Sequence, residues 1–175
     1  MVDKKKIKEI LRVNHAGEYG ACQIYKGQMA VLGKNDDKIL HMKEQEEEHL
    51  KRFTKIMIEN KVAPTLFQPL WHVLGFAIGA GSALLGKKYA HACTIAIEEV
   101  IDEHYQSQLD EMEGKHNQES NIQDIKDLIK KCQAEEIEHM NISANEGGKE
   151  IKGYKIFSQI IKTGARVAIA ISKKI

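Results

Sequence analysis

Two short patterns in the chain carry the residue types of a metal site. Glu46-x-x-His49 and Glu136-x-x-His139 each set a carboxylate and an imidazole three residues apart, which is one turn along a single face of a helix. A lone glutamate precedes each pattern, Glu18 before the first and Glu98 before the second. The chain therefore repeats the order Glu, then Glu-x-x-His. Four facing helices offer this donor set to a pair of divalent ions in di-iron and di-manganese carboxylate bundles. Four carboxylates balance two divalent cations, and neutral imidazoles add no charge, so the set is neutral when loaded and self-repelling otherwise. With two glutamates bridging and one glutamate and one histidine terminal on each ion, coordination positions stay open. Open positions on iron admit dioxygen, which a closed structural zinc site does not.

A single Glu-x-x-His is ordinarily a solvated helix face, and the run Gln45-Glu46-Glu47-Glu48 looks like surface by composition alone. The elements that carry the residues argue otherwise. Stripes at steps of three and four predict a helix from Ile7 to Leu32 (Ile7, Leu11, His15, Glu18, Cys22, Tyr25, Met29, Leu32) and another from Asp37 to Asn60 (Ile39, Met42, Glu46, His49, Phe53, Ile56). A third runs from Lys88 to Glu113 (His91, Ile95, Glu98, Tyr105, Leu109, Met112) and a fourth from Ile122 to Glu146 (Ile125, Ile129, Cys132, Glu136, His139, Ser143). A fifth amphipathic segment spans Ile151 to Ser172. Gly33-Lys34-Asn35-Asp36 is a breaker with a candidate N-cap, and Gly114 to Asn121 reads as a polar loop. Each of the first four stripes carries a glutamate where a core residue belongs. A buried, unpaired carboxylate is too costly to recur in four helices without a partner.

Composition supports one all-α domain over residues 1–175. The chain has 26 Lys and Arg against 25 Asp and Glu, so its surface lacks the net basic charge of a nucleic-acid binder and no nucleic-acid partner is expected. Two prolines and 6% aromatics favour helix over sheet. Cys22, Cys93 and Cys132 are odd in number and lack a C-x-x-C, which argues against a disulfide framework and against a Cys-ligated zinc site; on or near apolar helix faces, each reads as a core residue. His41, His72, His91 and His116 read as surface or packing residues. The lysine-rich start carries acidic residues and no apolar stretch follows it, so neither a signal peptide nor a transit peptide is expected.

Residues 62–86 contain no Asp, Glu, Lys or Arg. A single membrane crossing there would put half the donor set on each side of the bilayer, so the segment must lie along the interface or pack on the protein. Trp71, a stripe of Leu70, Leu74 and Ile78, and the last segment (Ile156, Phe157, Ile160, Ile161 flanked by Lys152, Lys155, Lys162 and Arg166) suit a membrane face. The competing readings are a crossover helix buried in the fold and a contact between chains through Gly75-x-x-x-Gly79. Gly79-Ala80-Gly81 begins like a dinucleotide fingerprint, but Leu84 replaces its third glycine and no strand precedes it.

Arg12-Val13-Asn14-His15-Ala16-Gly17-Glu18-Tyr19-Gly20-Ala21, Pro69-Leu70-Trp71, Gly75-Phe76-Ala77 and Ala80-Gly81-Ser82-Ala83-Leu84-Leu85-Gly86 resemble the demethoxyubiquinone hydroxylases. So do Glu98-Glu99, His104-Tyr105 and Glu136-Ile137-Glu138-His139, and the likeness runs from Arg12 to about Ser172. The resemblance implies a ferritin-like four-helix bundle with an interfacial crossover helix and an extra C-terminal helix. It implies a di-iron monooxygenase, peripheral on a membrane, that hydroxylates a demethoxyubiquinone ring with dioxygen late in ubiquinone biosynthesis. Matched residue by residue, the iron ligands are Glu18, Glu46, His49, Glu98, Glu136 and His139, with His104 and Tyr105 near the route of electrons or substrate. Ferritin-like analogy pairs Glu136 with Glu46 or Glu98 as the bridges. The implied partners are two Fe ions per chain, O2, NADH as electron donor and a long-tailed quinone. The location would be the cytoplasmic face of the cell membrane, or the matrix face of the inner membrane in a mitochondrion. A lipid-presenting accessory protein and a homo-oligomer are left open. One departure stands out: Met140-Asn141 follow the last ligand histidine where the family often has His-Asp, so that histidine needs support from another residue. An iron-storage protein on the same bundle and a non-enzymatic membrane scaffold remain the alternatives.

Overall fold

The computed structural model describes residues 4–33, 36–113 and 120–173. Its elements are all helical: α1 (Lys4–Leu32), α2 (Asp37–Glu59), α3 (Gln68–Leu84), α4 (Lys87–Met112), α5 (Ser120–Asn145) and α6 (Tyr154–Ser172). Gly33, at φ +84°, closes α1, and Asp36 caps α2 by accepting from the Lys38 and Ile39 amides. The last helix starts at Tyr154, not Ile151, because a single 3-10 turn at Gly148–Glu150 and Gly153 at φ +77° intervene. Of the loop expected at Gly114 to Asn121, residues 114–119 lie outside the described residues, as do Asn35 and His116, while Ser120 and Asn121 already belong to α5.

α1, α2, α4 and α5 form the bundle, and its core is layered. At one end Ile7 and Leu11 meet Phe53, Met57, Tyr105, Leu109, Ile125 and Ile129. At the other, Tyr25 meets Ile39 and Met42. The start of α1 thus packs on the end of α2 and the end of α1 on its start, which makes the pair antiparallel. Between the two apolar layers all four helices present carboxylates.

The crossover α3 lies along α1 through glycine. A Cβ on Gly79 would stand 1.9 Å from the Ile24 carbonyl oxygen, and one on Gly75 2.8 Å from that of Gly20. From the other side, a Cβ on Gly27 would stand 2.2 Å from the Phe76 oxygen. Only hydrogen fits between these backbones. Gly75 and Gly79 are therefore committed to α1, which removes them from any contact between chains. No helix among the described residues is long and apolar enough to cross a membrane.

α3 and α6 nevertheless leave large apolar side chains uncovered: Leu66, Leu70, Val73, Leu84 and Leu85 on or beside α3, and Ile156, Ile160 and Val167 on α6. Three details of the expected membrane face change. Trp71 is buried, 8% exposed, beside Phe67. Of the proposed stripe, Leu70 and Leu74 stay exposed, whereas Ile78 turns toward the bundle, and on α6 Phe157 and Ile161 pack against Ile24, Cys93 and Ile97. Lys162 and Arg166 pair with Glu99 and Glu103 of α4, so they fasten α6 to the bundle instead of flanking a lipid surface.

Candidate metal centre

Glu18 of α1, Glu46 and His49 of α2, Glu98 of α4 and Glu136 and His139 of α5 meet at the level between the apolar layers. None is more than 1% exposed. His49 Nδ1 lies 3.3 Å from Glu18 Oε2 and 3.2 Å from Glu136 Oε1. His139 Nδ1 lies 3.2 Å from Glu46 Oε1 and 3.0 Å from Glu136 Oε2. Two donor groups result, Glu18–Glu46–His49–Glu136 and Glu46–Glu98–Glu136–His139, each with its donor atoms within 4.8 Å of one another. Glu46 and Glu136 belong to both.

The inward atoms are unsatisfied. Glu18 Oε2, Glu98 Oε2, both oxygens of Glu46 and of Glu136, and Nδ1 of His49 and His139 have no hydrogen-bond partner. Buried polar atoms are normally bonded, and a carboxylate cannot donate to its neighbour. Converging acceptors of this kind fit cations, so the residues present match a pair of metal ions. Burial, with the neighbouring carboxylates, pushes Glu46 and Glu98 well above the usual carboxylate range. Burial also opposes charge on Glu136, but the two imidazoles overcome it and hold that carboxyl low.

An outer ring fixes the inner one. His49 Nε2 bonds to Glu135 Oε2 at 2.6 Å, and His139 Nε2 to Gln45 Oε1 at 2.8 Å. Each imidazole thereby turns Nδ1 inward, as ligand histidines do. Tyr25 Oη donates to Glu98 at 3.1 Å, and Tyr105 Oη donates to Glu18. Gln45 and Glu135 each stand immediately before a central glutamate, and each tyrosine stands seven residues after one. The centre has an internal two-fold pattern in both rings. Sequence reasoning missed Gln45, Glu135 and Tyr25, although the repeated Glu-x6-Tyr and the residue before each Glu-x-x-His were visible. His139, which Met140-Asn141 follow here, is held from outside by Gln45.

The description "Ubiquinone biosynthesis protein COQ7" matches residues 5–172 of the chain. The "NADPH-dependent 3-demethoxyubiquinone 3-hydroxylase, mitochondrial" of Homo sapiens is 43% identical over 99% of this chain and 80% of its own length. The "3-demethoxyubiquinol 3-hydroxylase" of Rhodospirillum rubrum is 44% identical over 97% of this chain and 78% of its own. The "5-demethoxyubiquinone hydroxylase, mitochondrial" of Saccharomyces cerevisiae is 33% identical over 95% and 77%. The chain belongs to the COQ7 family. Together with the clustered carboxylates and histidines, membership makes it a di-iron monooxygenase of ubiquinone biosynthesis.

Two further features of this COQ7 chain bear on its chemistry. A cavity of about 190 Å³ runs between α1, α3, α4 and α6. Its wall is apolar and includes Gly17 and Ala21, one residue before and three after Glu18, and Ile97 and Ile101, one before and three after Glu98. The second feature separates His104 from Tyr105. Tyr105 is buried in the bundle, whereas His104 lines an open groove with Glu103, Ser107, Arg166 and Lys173. Gln108 Nε2 donates to His104 Nε2 at 2.7 Å, and Gln108 and the buried Asn14 exchange amide hydrogen bonds. Burial lowers His104 to about 4, so it is a neutral acceptor near pH 7.

Proposed function

We propose that this chain would hold two iron ions through Glu18, Glu46, His49, Glu98, Glu136 and His139, Glu46 and Glu136 being common to both donor groups, and that it hydroxylates the ring of a demethoxyubiquinone. The observation that carries the reading is the set of inward, unsatisfied oxygens and nitrogens on four buried glutamates and two buried histidines. Reduced iron supplies the reaction with dioxygen, which a protein side chain cannot provide. The chain's own residues do the rest. Glu135 and Gln45 hold the imidazoles in the ligating orientation, and Tyr25 and Tyr105 steady the carboxylates of Glu98 and Glu18 by hydrogen bonds.

The apolar cavity, lined by near sequence neighbours of Glu18 and Glu98, suits a quinone ring followed by an isoprenoid tail. The uncovered apolar residues of α3 and α6 lie on the helices that form this cavity, so the tail would stay in lipid while the protein sits on the membrane surface. In this reading the adjacent His104 and Tyr105 connect the outer groove to Glu18, and electrons enter there. The donor is a reduced nicotinamide nucleotide. The sequence resemblance implies NADH, and the name of the human relative specifies NADPH for that protein.

Glu136→Ala removes a carboxylate common to both donor groups. It should reduce bound iron and abolish hydroxylation of demethoxyubiquinone. Glu47→Gln with Glu48→Gln, on the outer side of α2, should leave iron at two per chain. Full activity with two irons in Glu136→Ala would overturn the assignment.

A further inference from the structure

The Cys132 thiol stands at one edge of the centre. Cys132 is fully buried on α5, one turn before Glu136. Its Sγ, a Glu18 carboxylate oxygen and a His49 ring nitrogen all lie within 4.8 Å of one another. Glu18 Oε2 and His49 Nδ1 are without hydrogen-bond partners, on residues 1% exposed. The thiol thus neighbours two buried side chains that each carry an unsatisfied donor atom.

The internal two-fold provides a comparison within the same molecule. Met42 stands one turn before Glu46 on α2, as Cys132 stands before Glu136 on α5. The Met42 sulfur accepts from the Ser143 hydroxyl at 3.8 Å. A thioether has no proton to release and binds cations weakly, whereas a thiol yields a thiolate that is a strong ligand for soft and borderline ions. A second asymmetry falls on the same side. His49 is backed by the Glu135 carboxylate, and His139 only by the Gln45 amide. The His49 half of the centre therefore has a thiol at its edge and a carboxylate behind its imidazole, whereas the His139 imidazole is backed by a neutral amide.

We propose that Cys132 is an additional ligand for the metal position that Glu18 and His49 serve, and that it makes this position the tighter one for thiophilic divalent ions such as Co2+ and Zn2+. The inference rests on the metal-binding reading above. A metal–sulfur bond forms as the S–H bond breaks, the proton is released to bulk solvent as the ion enters, and no electrons move. The two metal positions of the chain then differ. One has oxygen, nitrogen and sulfur donors, and the other oxygen and nitrogen alone. Exposure to zinc or cobalt would fill the sulfur-bearing position first and leave a mixed, inactive pair.

Anaerobic titration of the metal-free protein with Co2+, followed by absorption, tests this. The expected result is a near-ultraviolet thiolate-to-cobalt charge-transfer band that grows with the first equivalent and stays level through the second. Cys132→Ser should lose the band and still bind cobalt, whereas Cys22→Ser, which alters another buried thiol of the bundle, should keep it. Cys132→Ala provides the same readout should serine fail to fold, with helicity checked by circular dichroism. Two equivalents bound with no such band in the unaltered protein would overturn the proposal and leave the metal-binding reading standing, as would a band that survives Cys132→Ser. Absence of cobalt binding altogether would overturn both.

Discussion

His49 is gripped from both sides by neighbours on one helix: Glu135 meets its Nε2 at 2.6 Å, and the next residue, Glu136, meets its Nδ1 at 3.2 Å. Glu135→Ala should lower metal affinity by about 10–100-fold, the usual cost of losing a histidine's outer partner. Glu135→Gln keeps an acceptor for the ring N–H and should fall between the two. Gln45→Ala should act in the same way through His139. Competition with a chelating dye measures each, and unchanged affinity in Glu135→Ala would show that the imidazole needs no outer support.

The α1–α3 seam predicts opposite outcomes for two glycines on one helix. Gly79→Ala drives a methyl into the Ile24 carbonyl, 1.9 Å away, and neither backbone can yield without parting the helices. It should unfold α3 from α1 or lower Tm sharply. Gly81 is exposed with nothing within 4 Å of a built Cβ, so Gly81→Ala should stabilise by about 0.5–1 kcal/mol through helix propensity. Thermal unfolding compares them directly, and equal Tm values would show that the seam is loose.

The outward residues of α3 and α6 should govern lipid binding. Val73→Ser, Leu84→Ser and Ile160→Ser together remove three exposed apolar side chains without touching the cavity wall. Full burial of each is worth roughly 1.5–3 kcal/mol, so even shallow insertion makes the loss visible in liposome flotation. Iron content should not change. Flotation equal to that of the unaltered protein would place the membrane contact elsewhere.

His104 should shape stability at acid pH. Its folded pKa is lowered to about 4 from the ordinary 6.5 by burial. Between those values the unfolded chain binds a proton that the folded chain refuses. The contribution is therefore present above pH 6.5 and is lost as pH falls toward 4. His15 and His91, also lowered by burial, act in the same direction. His104→Gln should flatten, not abolish, the decline in denaturant midpoint over that window. An unchanged slope would mean that His104 titrates normally in the folded protein.

The helical stripes and the six metal-binding candidates were legible because a glutamate in an apolar stripe violates a strong rule, and the rule was broken once per helix. The outer ring was harder to see. Gln45 and Glu135 look like ordinary surface residues in sequence, and only the crossing of α2 with α5 brings each to a histidine on the other helix. Trp71, Phe157 and Ile161 were assigned to the membrane because an amphipathic pattern cannot tell which of two apolar faces meets protein. Here the glycine seam on α1 decides the orientation of α3. Ion pairs from Lys162 and Arg166 to α4 help hold α6, and pairings across such distances leave no local trace.

Isotopic analysis of the product tests the central claim most directly. Iron-loaded protein is reduced anaerobically with demethoxyubiquinone and then exposed to isotopically labelled dioxygen. Mass spectrometry should find one labelled oxygen in the new ring hydroxyl, and no product from Glu136→Ala. A hydroxylated product bearing oxygen from water, or one formed equally well by Glu136→Ala, would contradict a dioxygen-dependent reaction at this buried carboxylate–histidine centre.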